Sequence, residues 1–353
     1  MSGRHSMRRN MRAAAALTCV VIAGPAAWAE PAPVPDASSA AQFRNPLLDS
    51  GPDPWVTRDG GRYYYMHTLG NALAIWETSD IADLVNARRK TVWTPPKSGP
   101  NAISIWAPEL HRIDGKWYIY YTAAESGHDD DAHRGIFVLE NGADNPLEGT
   151  WVDRGRVNTR YPGIDGTVFA YRGNRYFVYS PYVGPDSVLA IARMSNPWTL
   201  AGDEAIIARP ELSWERQGGR QILEGPEFLL GFKGDLFLTY SASACWSDDY
   251  ALGLLRAPAG ADPLDPKSWT KSPKPVFAKA PENGVYAPGH NGFFTSPDGR
   301  ETWIIYHANP GPDMKCTARR SPRIQRVEFD ASGTPQFGKP VSGSDALLRP
   351  SGG

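Results

Sequence analysis

Five copies of one local pattern constrain the fold of this chain more than any other feature. Each copy has a polar start, a short apolar strand, a Gly-containing turn and an alternating strand rich in aromatic residues. The copies occupy residues 53–67, 107–122, 165–180, 222–241 and 289–307. Apolar alternation on both sides of a glycine turn is typical of a β-hairpin.

The repeat predicts a five-bladed β-propeller. Further apolar runs follow the hairpins, for example Leu73–Trp76, Gly135–Leu139 and Val188–Ala192. Four antiparallel strands per unit at a period of roughly 60 residues indicate propeller blades. A two-sheet sandwich of similar strand count is the alternative, but it would not explain why a polar residue recurs at the same point of every unit. We therefore expect an all-β fold with a site at the mouth of the central channel.

Composition limits the classes of ligand. The 353 residues carry a net charge of -1, which gives no indication of a nucleic-acid or anionic-membrane partner. The chain has 12 Trp, 15 Tyr and 12 Phe, a content that suits a turn-rich β-protein handling sugars or other flat amphipathic ligands.

The N-terminus is predicted to be a secretory signal peptide covering residues 1–29. Arg4 to Arg12 supply a basic region, Ala13–Ala23 an apolar run, and Ala27-Trp-Ala29 a cleavage sequence. Arg8-Arg9 leaves twin-arginine export open, whereas the residues before Cys19 fit a lipoprotein signal poorly. We therefore expect a secreted or periplasmic protein.

The remaining chain is divided into three parts. Residues 30–40 are predicted to be a mobile leader, residues 41–345 a propeller catalytic domain, and residues 346–353 a tail. We expect a monomer.

Removal of the signal peptide leaves two cysteines, Cys245 and Cys316. An even pair in an exported protein predicts a disulfide, and two unpaired thiols are the alternative. Both cysteines follow the second strand of their hairpins in adjacent predicted blades, so the bond would link two loops on one face.

Polar residues at the start of each hairpin should converge, because the first strand of every propeller blade lines the central channel. These residues are Asp53, Glu109, Asp165, Glu224 and His290. Clustered carboxylates raise one another's pKa, which costs stability and points to function. Two carboxylates facing one substrate are the groups that glycoside hydrolysis requires.

Five short motifs resemble glycoside hydrolase family 43, a family of five-bladed propellers. They are Asp53-Pro-Trp55, Trp106-Ala-Pro-Glu109, Gly163-Ile-Asp-Gly166, Glu224-Gly-Pro226 and Gly289-His-Asn291. The resemblance extends from about Asn45 to Val341. Residues 320–325 and 333–338 resemble the branch that includes exo-acting α-L-arabinofuranosidases.

The resemblance implies a role for each of three acids. Asp53 matches the general base, Glu224 the general acid, and Asp165 the acid that orients the donor and tunes its pKa. Glu227 is the alternative to Glu224, but the family pattern selects the residue before Gly-Pro. The implied activity is inverting release of terminal α-L-arabinofuranosyl residues from arabinan or arabinoxylan. A β-xylosidase or an endo-arabinanase of the same family, or a non-catalytic carbohydrate-binding propeller, are the alternatives.

Further residues are predicted to bind substrate. Sugar rings stack on aromatic faces, and Trp55, Trp106 and Trp246 are the candidate platforms. Arg320 or Arg323 could bind sugar hydroxyls, with a surface salt bridge as the alternative. Glu109 is expected to be a minor contact or a structural residue. Trp76, Trp151 and Trp269 are expected in the blade cores.

His290 is predicted to lie at the rim of the channel. The resemblance implies a structural cation there, commonly calcium, held largely through water near this histidine. No cofactor is expected to be required for the chemistry. The acidic run Asp129–Asp131 resembles part of a calcium loop, but we expect it to be solvated.

Overall fold

Hydrogen bonding groups the strands into five small antiparallel sheets, one for each hairpin repeat. The computed structural model describes residues 41–353, so the predicted signal peptide (1–29) and leader (30–40) lie outside the described residues. Each sheet uses consecutive strands in the order first, second, third and fourth from the channel outwards. The prediction of a five-bladed propeller is confirmed, and the sandwich alternative is excluded.

Each blade is formed by one continuous stretch of chain. Blade 1 contains β2 (Trp55–Asp59), β3 (Arg62–Met66), β4 (Leu73–Thr78) and β5 (Arg88–Trp93). Blade 2 contains β6 (Ile103–Ile113), β7 (Lys116–Ala124), β8 (Arg134–Asn141) and β9 (Val152–Arg156). Blade 3 contains β10 (Gly163–Tyr171), β11 (Asn174–Val183), β13 (Leu189–Asn196) and β14 (Thr199–Ala208), with β12 (Asp186–Ser187) paired to β11. Blade 4 contains β15 (Leu223–Leu230), β16 (Leu236–Ala242), β17 (Ala251–Ala257) and β18 (Thr270–Lys271). Blade 5 contains β19 (Tyr286–Thr295), β20 (Thr302–Asn309), β21 (Ser321–Phe329) and β22 (Pro335–Gln336).

The described residues form only short helices, all of the 3-10 type. They are Ile81–Asn86, Asp131–His133, Ser213–Gly219, Pro266–Ser268 and Pro281–Asn283. None of the described helices is long and apolar enough to span a bilayer.

The hydrophobic core is divided among the five interfaces between adjacent blades. Phe169 and Leu236 belong to the cluster between blades 3 and 4, for example, and Phe294 and Val56 to the cluster between blades 5 and 1. Strands with two buried faces must be apolar on both, which explains the aromatic second strands of the repeat. As expected, Trp76 and Trp269 are buried and Trp151 packs against a cluster.

The two ends of the described chain meet outside the blades. β1 (Gln42–Phe43) pairs antiparallel with β23 (Leu347–Leu348), which lies in the segment predicted to be a tail. Arg349 adds an ion pair with Asp80 of the loop after β4. The tail segment is therefore attached to the start of the domain.

Candidate active site

The chain at the start of each inner strand aims side chains into the channel mouth, through a β-bulge in blades 2 to 5 and a turn in blade 1. The register of β6, β10, β15 and β19 shifts at this point, and blade 1 has the corresponding turn just before β2. The first bulge residue has a positive φ in all five blades: Asp53 55°, Ala107 42°, Asp165 55°, Gly225 52° and His290 47°. Asp and His tolerate this left-handed conformation better than most residues. At three of the five positions, Asp53, Asp165 and His290, the residue type that tolerates a positive φ is thus also one that can bind or transfer a proton.

The preceding blade holds most of these bulges in place. The backbone N–H groups of Ala107, Asp165 and His290 donate to the hydroxyls of Thr68, Thr122 and Ser241 at 2.7, 3.0 and 2.7 Å. The Asp53 N–H donates to His307 Nδ1 at 3.0 Å, which closes the ring from blade 5 to blade 1. Each bulge conformation is therefore tied to an inter-blade hydrogen bond.

Blade 4 departs from this arrangement at the predicted acid. The Gly225 N–H donates to the Asp165 carboxylate (Oδ2) at 3.0 Å, and the Ser180 hydroxyl of blade 3 is buried without a hydrogen-bond partner. Gly225 also lies against the His290 ring, since a Cβ on Gly225 would lie 3.2 Å from His290 Nδ1. Glycine at this position lets Asp165, His290 and the strand carrying Glu224 approach one another.

The bulges surround a cavity of about 370 Å³ at the channel mouth. Six predicted site residues line it: Asp53, Trp106, Asp165, Glu224, His290 and Arg320. A larger groove of about 770 Å³ lies between the outer strands of blades 4 and 5, but its described lining contains no carboxylate. The first cavity is therefore the candidate active site.

Asp53 is held in its ionised form. Its carboxylate accepts hydrogen bonds from Arg320 Nη1 at 2.9 Å and from the Thr68 hydroxyl at 2.7 Å, and His290 Nδ1 lies 3.5 Å away. Burial alone would raise the pKa of Asp53, but the charges of Arg320 and His290 outweigh it and hold that pKa well below its usual range. Asp53 can therefore accept a proton but does not carry one near neutral pH.

The pKa values of Asp165 and Glu224 are raised, whereas that of Asp53 is lowered. Burial, followed by the negative charges of Glu224 and Asp53, raises the pKa of Asp165 to about 7. Burial also raises the pKa of Glu224, although a hydrogen bond from Tyr250 opposes this. Since the two acids interact, they titrate as a pair that retains a proton in the pH range where Asp53 is ionised.

Tyr250 is a site residue that the sequence reasoning missed. Its phenol is completely buried and donates to Glu224 Oε1 at 2.7 Å, and its ring stacks on His307 at a centroid distance of 5.8 Å. Gly289 makes room for the ring, because a Cβ there would lie 2.3 Å from Tyr250 Cε1.

His307 and Thr68, which bind Asp53, were missed as well. His307 ends the fifth repeat and Thr68 follows the first, so position in the repeat was the available signal, whereas Tyr250 had none.

His290 lies among the acids, as predicted. Its Nδ1 is 3.5 Å from Asp53 Oδ1 and 4.0 Å from Asp165 Oδ2. Burial lowers the pKa of His290, but the negative charges of Asp53, Asp165 and Glu224 outweigh burial and raise it overall. This imidazole therefore compensates part of the negative charge in the cavity.

Asp165, Glu224 and His290 are also the group that could hold the cation implied by the resemblance. Ligating atoms of Asp165, Glu224 and His290 lie within 4.8 Å of one another. Calcium takes six to eight oxygen ligands, whereas this group offers two carboxylates and one imidazole nitrogen. A directly bound cation would also favour the ionised form of Glu224. The group therefore does not fit directly bound calcium, and a cation held through water near His290 stays a prediction.

Glu109 and Glu227 lie in a layer behind the bulges and outside the cavity lining. Each follows the bulge of its blade by two residues, so Glu109 corresponds to Glu227 rather than to Asp53. Both are buried, Glu109 lies 2.8 Å from His111 Nε2, and burial together with the neighbouring Glu109 raises the pKa of Glu227. The expectation that Glu109 heads its strand at the same position as Asp53 was wrong, because the bulge changes the register.

The three candidate tryptophans are placed differently. Trp106 lines the cavity, and the Arg134 guanidinium lies 4.4 Å from its ring centroid. Trp246 is 43% exposed beside the cavity-lining Cys245, and its Nε1 donates to Gly218 O at 2.8 Å. Trp55 does not reach the cavity, since its Nε1 donates to Leu110 O and its ring packs 4.8 Å from His111. The expectation that Trp55 is a platform is therefore not supported by its position.

The two candidate arginines differ in the same way. Arg320 lines the cavity and binds Asp53. Arg323 is buried within blade 5, where its Nε and Nη1 have no hydrogen-bond partner. Of the two, only Arg320 can meet a ligand in the cavity.

A disulfide joins Cys245 and Cys316, with a Cα–Cα distance of 5.4 Å. Both cysteines line the cavity, and they connect the loops that follow the second strands of blades 4 and 5. The bond therefore lies in the wall of the candidate site, on the face that the repeat indicates.

Comparison with known proteins agrees with this arrangement. Residues 43–335 match the sequence profile of glycosyl hydrolases family 43. An extracellular exo-α-(1→5)-L-arabinofuranosidase of Streptomyces avermitilis is 39% identical, covering 93% of this chain and 69% of the relative. A protein of the same description from Streptomyces chartreusis is 37% identical over 86% of this chain and 91% of the relative. The crystal structure of an α-L-arabinofuranosidase from Lactobacillus brevis superposes with a TM-score of 0.81 at 33% identity, covering 86% of this chain and 98% of that one.

Proposed function

Since this chain belongs to glycosyl hydrolase family 43, we propose that it is a secreted, inverting α-L-arabinofuranosidase acting on the ends of arabinan or arabinoxylan side chains. The observation that carries the proposal is the pairing, in one cavity, of an acid kept ionised with two acids that share a proton. When the pKa values of neighbouring carboxyl groups are shifted in opposite directions, one group can act as the acid and the other as the base.

The mechanism follows from these protonation states. Ionised Asp53 takes a proton from a water molecule as that water attacks the anomeric carbon. Glu224 gives its proton to the glycosidic oxygen as the bond to the leaving group breaks. Repulsion between the Asp165 and Glu224 carboxylates keeps one proton within the acid pair, and Tyr250 orients Glu224 through their 2.7 Å hydrogen bond. Attack by water without a covalent intermediate inverts the anomeric configuration.

The choice of arabinose rests on the relatives. The two Streptomyces relatives are described as exo-α-(1→5)-L-arabinofuranosidases and the Lactobacillus brevis protein as an α-L-arabinofuranosidase. Exo action needs a pocket, and the cavity is walled by the loops carrying Gly70, Cys245 and Cys316. Trp106 and the exposed Trp246 are the proposed stacking platforms.

A comparison of three substrates tests the specificity. We expect the protein to hydrolyse an aryl α-L-arabinofuranoside and to release only monosaccharide from linear arabinan. Faster hydrolysis of an aryl β-D-xyloside would favour the β-xylosidase alternative, and oligosaccharide products from arabinan would favour the endo-arabinanase. No turnover of any of the three would favour a binding propeller. Proton NMR of the first product formed reports the anomer, and retention would contradict the inverting mechanism.

Substitutions of the acids test their assigned roles. Asp53→Asn should lower kcat by roughly a thousandfold on every substrate, since general base catalysis contributes 10²–10⁴-fold. Glu224→Gln should lose as much on arabinan but less on an aryl glycoside whose leaving group needs no proton. Glu227→Gln is the matched control, because Glu227 lies outside the cavity lining, and it should keep most of the activity. Equal losses for Glu224→Gln and Glu227→Gln would contradict the assignment of the acid.

Export and metal independence belong to the same proposal. The name "extracellular" given to the Streptomyces relatives supports secretion, and N-terminal sequencing of the exported protein should begin after Ala29. Dialysis against a chelator should leave kcat unchanged, since the proposed chemistry uses protein groups alone. Loss of turnover that calcium restores would contradict this part of the proposal.

A further inference from the structure

We propose that His128, Asp130 and His133 form a binding site for a borderline transition-metal ion such as Zn²⁺. These residues lie on the β7–β8 loop, residues 125–133, and their ligating atoms fall within 4.8 Å of one another. The loop follows the second strand of blade 2, so it emerges on the same face as the active-site cavity. The site is separate from the Asp165, Glu224 and His290 group inside that cavity.

The ligating atoms of the three side chains already lie near one another. The rings of His128 and His133 stack at a centroid distance of 4.2 Å, and Asp130 Oδ1 lies 2.7 Å from His133 Nδ1. Zinc bonds of 2.0–2.2 Å in a tetrahedral arrangement place two ligand atoms about 3.3 Å apart. An increase of about 0.6 Å in the Oδ1–Nδ1 separation would therefore let a metal replace the proton between Asp130 and His133, and the His128 ring must turn out of its stack to aim a nitrogen at the same ion.

The donor set selects the class of metal. Imidazole nitrogens suit zinc, copper and nickel, whereas calcium and magnesium prefer oxygen ligands throughout. His128 is exposed and the His133 side chain is 38% exposed, so a hydrated ion can reach both. The other described histidines are buried or half-buried in the fold. Three protein ligands leave a fourth position for water. Because the loop is exposed and the His128 ring must reorient, we expect weaker binding than at a closed structural site.

The residues beside the ligands fix the loop and leave Asp130 for the metal. Asp129 and Asp131 form ion pairs with Arg134 at 2.6 and 2.8 Å, and Asp131 also pairs with Arg220. Asp130 accepts hydrogen bonds from the backbone N–H groups of Ala132 and His133. The acidic run is largely solvent-exposed, as expected, and ion pairs with arginines order it as well. Since Arg134 packs on Trp106, metal binding would hold a loop that supports one wall of the cavity.

Titration of the untagged chain with Zn²⁺, in competition with a chromophoric chelator near neutral pH, tests the site. The expected result is one equivalent bound, with a dissociation constant in the micromolar range. His128→Ala and His133→Ala should each weaken binding at least ~10-fold, and the double variant should bind no zinc at this site. Zn²⁺ should raise the apparent Tm of the wild type and not that of the double variant.

A charge-matched control separates coordination from general attraction of cations. Asp130→Asn should weaken binding, whereas Asp203→Asn, the same change at an exposed position of β14, should not. Thermal unfolding without metal checks that each variant is folded. Undetectable zinc binding by the wild type, or undiminished binding by the folded double variant, would overturn the proposal.

Discussion

Asp53 and Asp165 occupy equivalent bulge positions with the same φ of 55°, yet their environments favour opposite protonation states. The difference comes from their neighbours. Arg320 contacts Asp53 at 2.9 Å, whereas Asp165 is buried beside the second acid, Glu224. Backbone geometry therefore brings the acids together, and a single arginine from blade 5 makes the pair unequal.

Tyr250→Phe should show how far the general acid depends on its hydrogen bond. The Tyr250 phenol stabilises ionised Glu224 and so lowers its pKa. Its removal should raise the pKa of Glu224 and move the alkaline limb of the kcat/KM profile to higher pH. We also expect a loss of about tenfold in kcat, because the acid is less well oriented.

Tyr306→Phe is the matched control for this substitution. Tyr306 is equally buried and loses a hydrogen bond of 3.2 Å to Gln325 instead of one to a site carboxylate. Its pH profile should keep the wild-type limits. The same alkaline limit in Tyr250→Phe and the wild type would contradict a role of this phenol in proton transfer.

Asp165→Asn should make the protein more stable at high pH while abolishing efficient catalysis. The pKa of Asp165 is about 7 in the folded protein, against an ordinary value of 3.8. Because the folded state binds this proton more tightly, the contribution of Asp165 to stability is fully present below about pH 4 and is lost as pH rises through 7. The variant should gain about 1–3 kcal/mol in free energy of unfolding relative to wild type at pH 8, and little at pH 4.

Asp235→Asn should lower the free energy of unfolding at high pH, the opposite of the change expected for Asp165→Asn. Its hydrogen bond with Arg256 lowers the pKa of Asp235, so its stabilisation is present above the ordinary pKa and lost in acid. Urea unfolding of both variants at pH 8 and pH 4, and of Asp235→Asn also near pH 2, measures the difference. A gain for Asp165→Asn that does not depend on pH would show that titration of this carboxyl is not the cause.

At the scale of the element, the sequence predicts the hairpins and their number but not the register within them. Alternation, glycine turns and the repeat identify five blades, because these features act locally. The bulge adds a residue without a local signal, so Glu109 was matched with Asp53, and Trp55 was expected in the cavity. The positive φ at Ala107, with no glycine or asparagine to mark it, could not be recognised from sequence.

Ala107→Gly tests whether the bulge conformation is strained. At a φ of 42° the Ala107 side chain is unfavourable, and glycine would relieve that strain. The net gain in free energy of unfolding should be up to about 1 kcal/mol, since glycine also makes the unfolded chain more flexible. Activity should persist, because the lost group is one methyl in the cavity wall. Ala123→Gly, in buried β7, is the control and should lose about 1 kcal/mol or more. Equal losses in both variants would show that the bulge is not strained.

At the scale of the whole molecule, side-chain and backbone hydrogen bonds close the ring, and within residues 41–353 no blade combines strands from the two ends of the chain. The backbone N–H groups of Leu47 and Gly51 donate to carbonyls of Pro322 and Arg320, and Asn45 bridges to Ile324 through two hydrogen bonds. The segment before blade 1 therefore holds the strand of blade 5 that begins beside Arg320. The contacts that close the ring therefore also place Arg320 against Asp53.

The Cys245–Cys316 disulfide should contribute to both stability and the shape of the site. It closes a loop with a sequence separation of 71, which in the chain-entropy model contributes about 4 kcal/mol to the free energy of unfolding. The double variant Cys245→Ser/Cys316→Ser should lose roughly this amount in urea unfolding. Its KM should rise more than its kcat falls, because the cysteines line the cavity but are not among the groups that transfer protons. Reductant should lower the stability of the wild type to that of the variant and leave the variant unchanged. An equal effect of reductant on both proteins, or no difference between them without it, would show that the bond does not stabilise the fold.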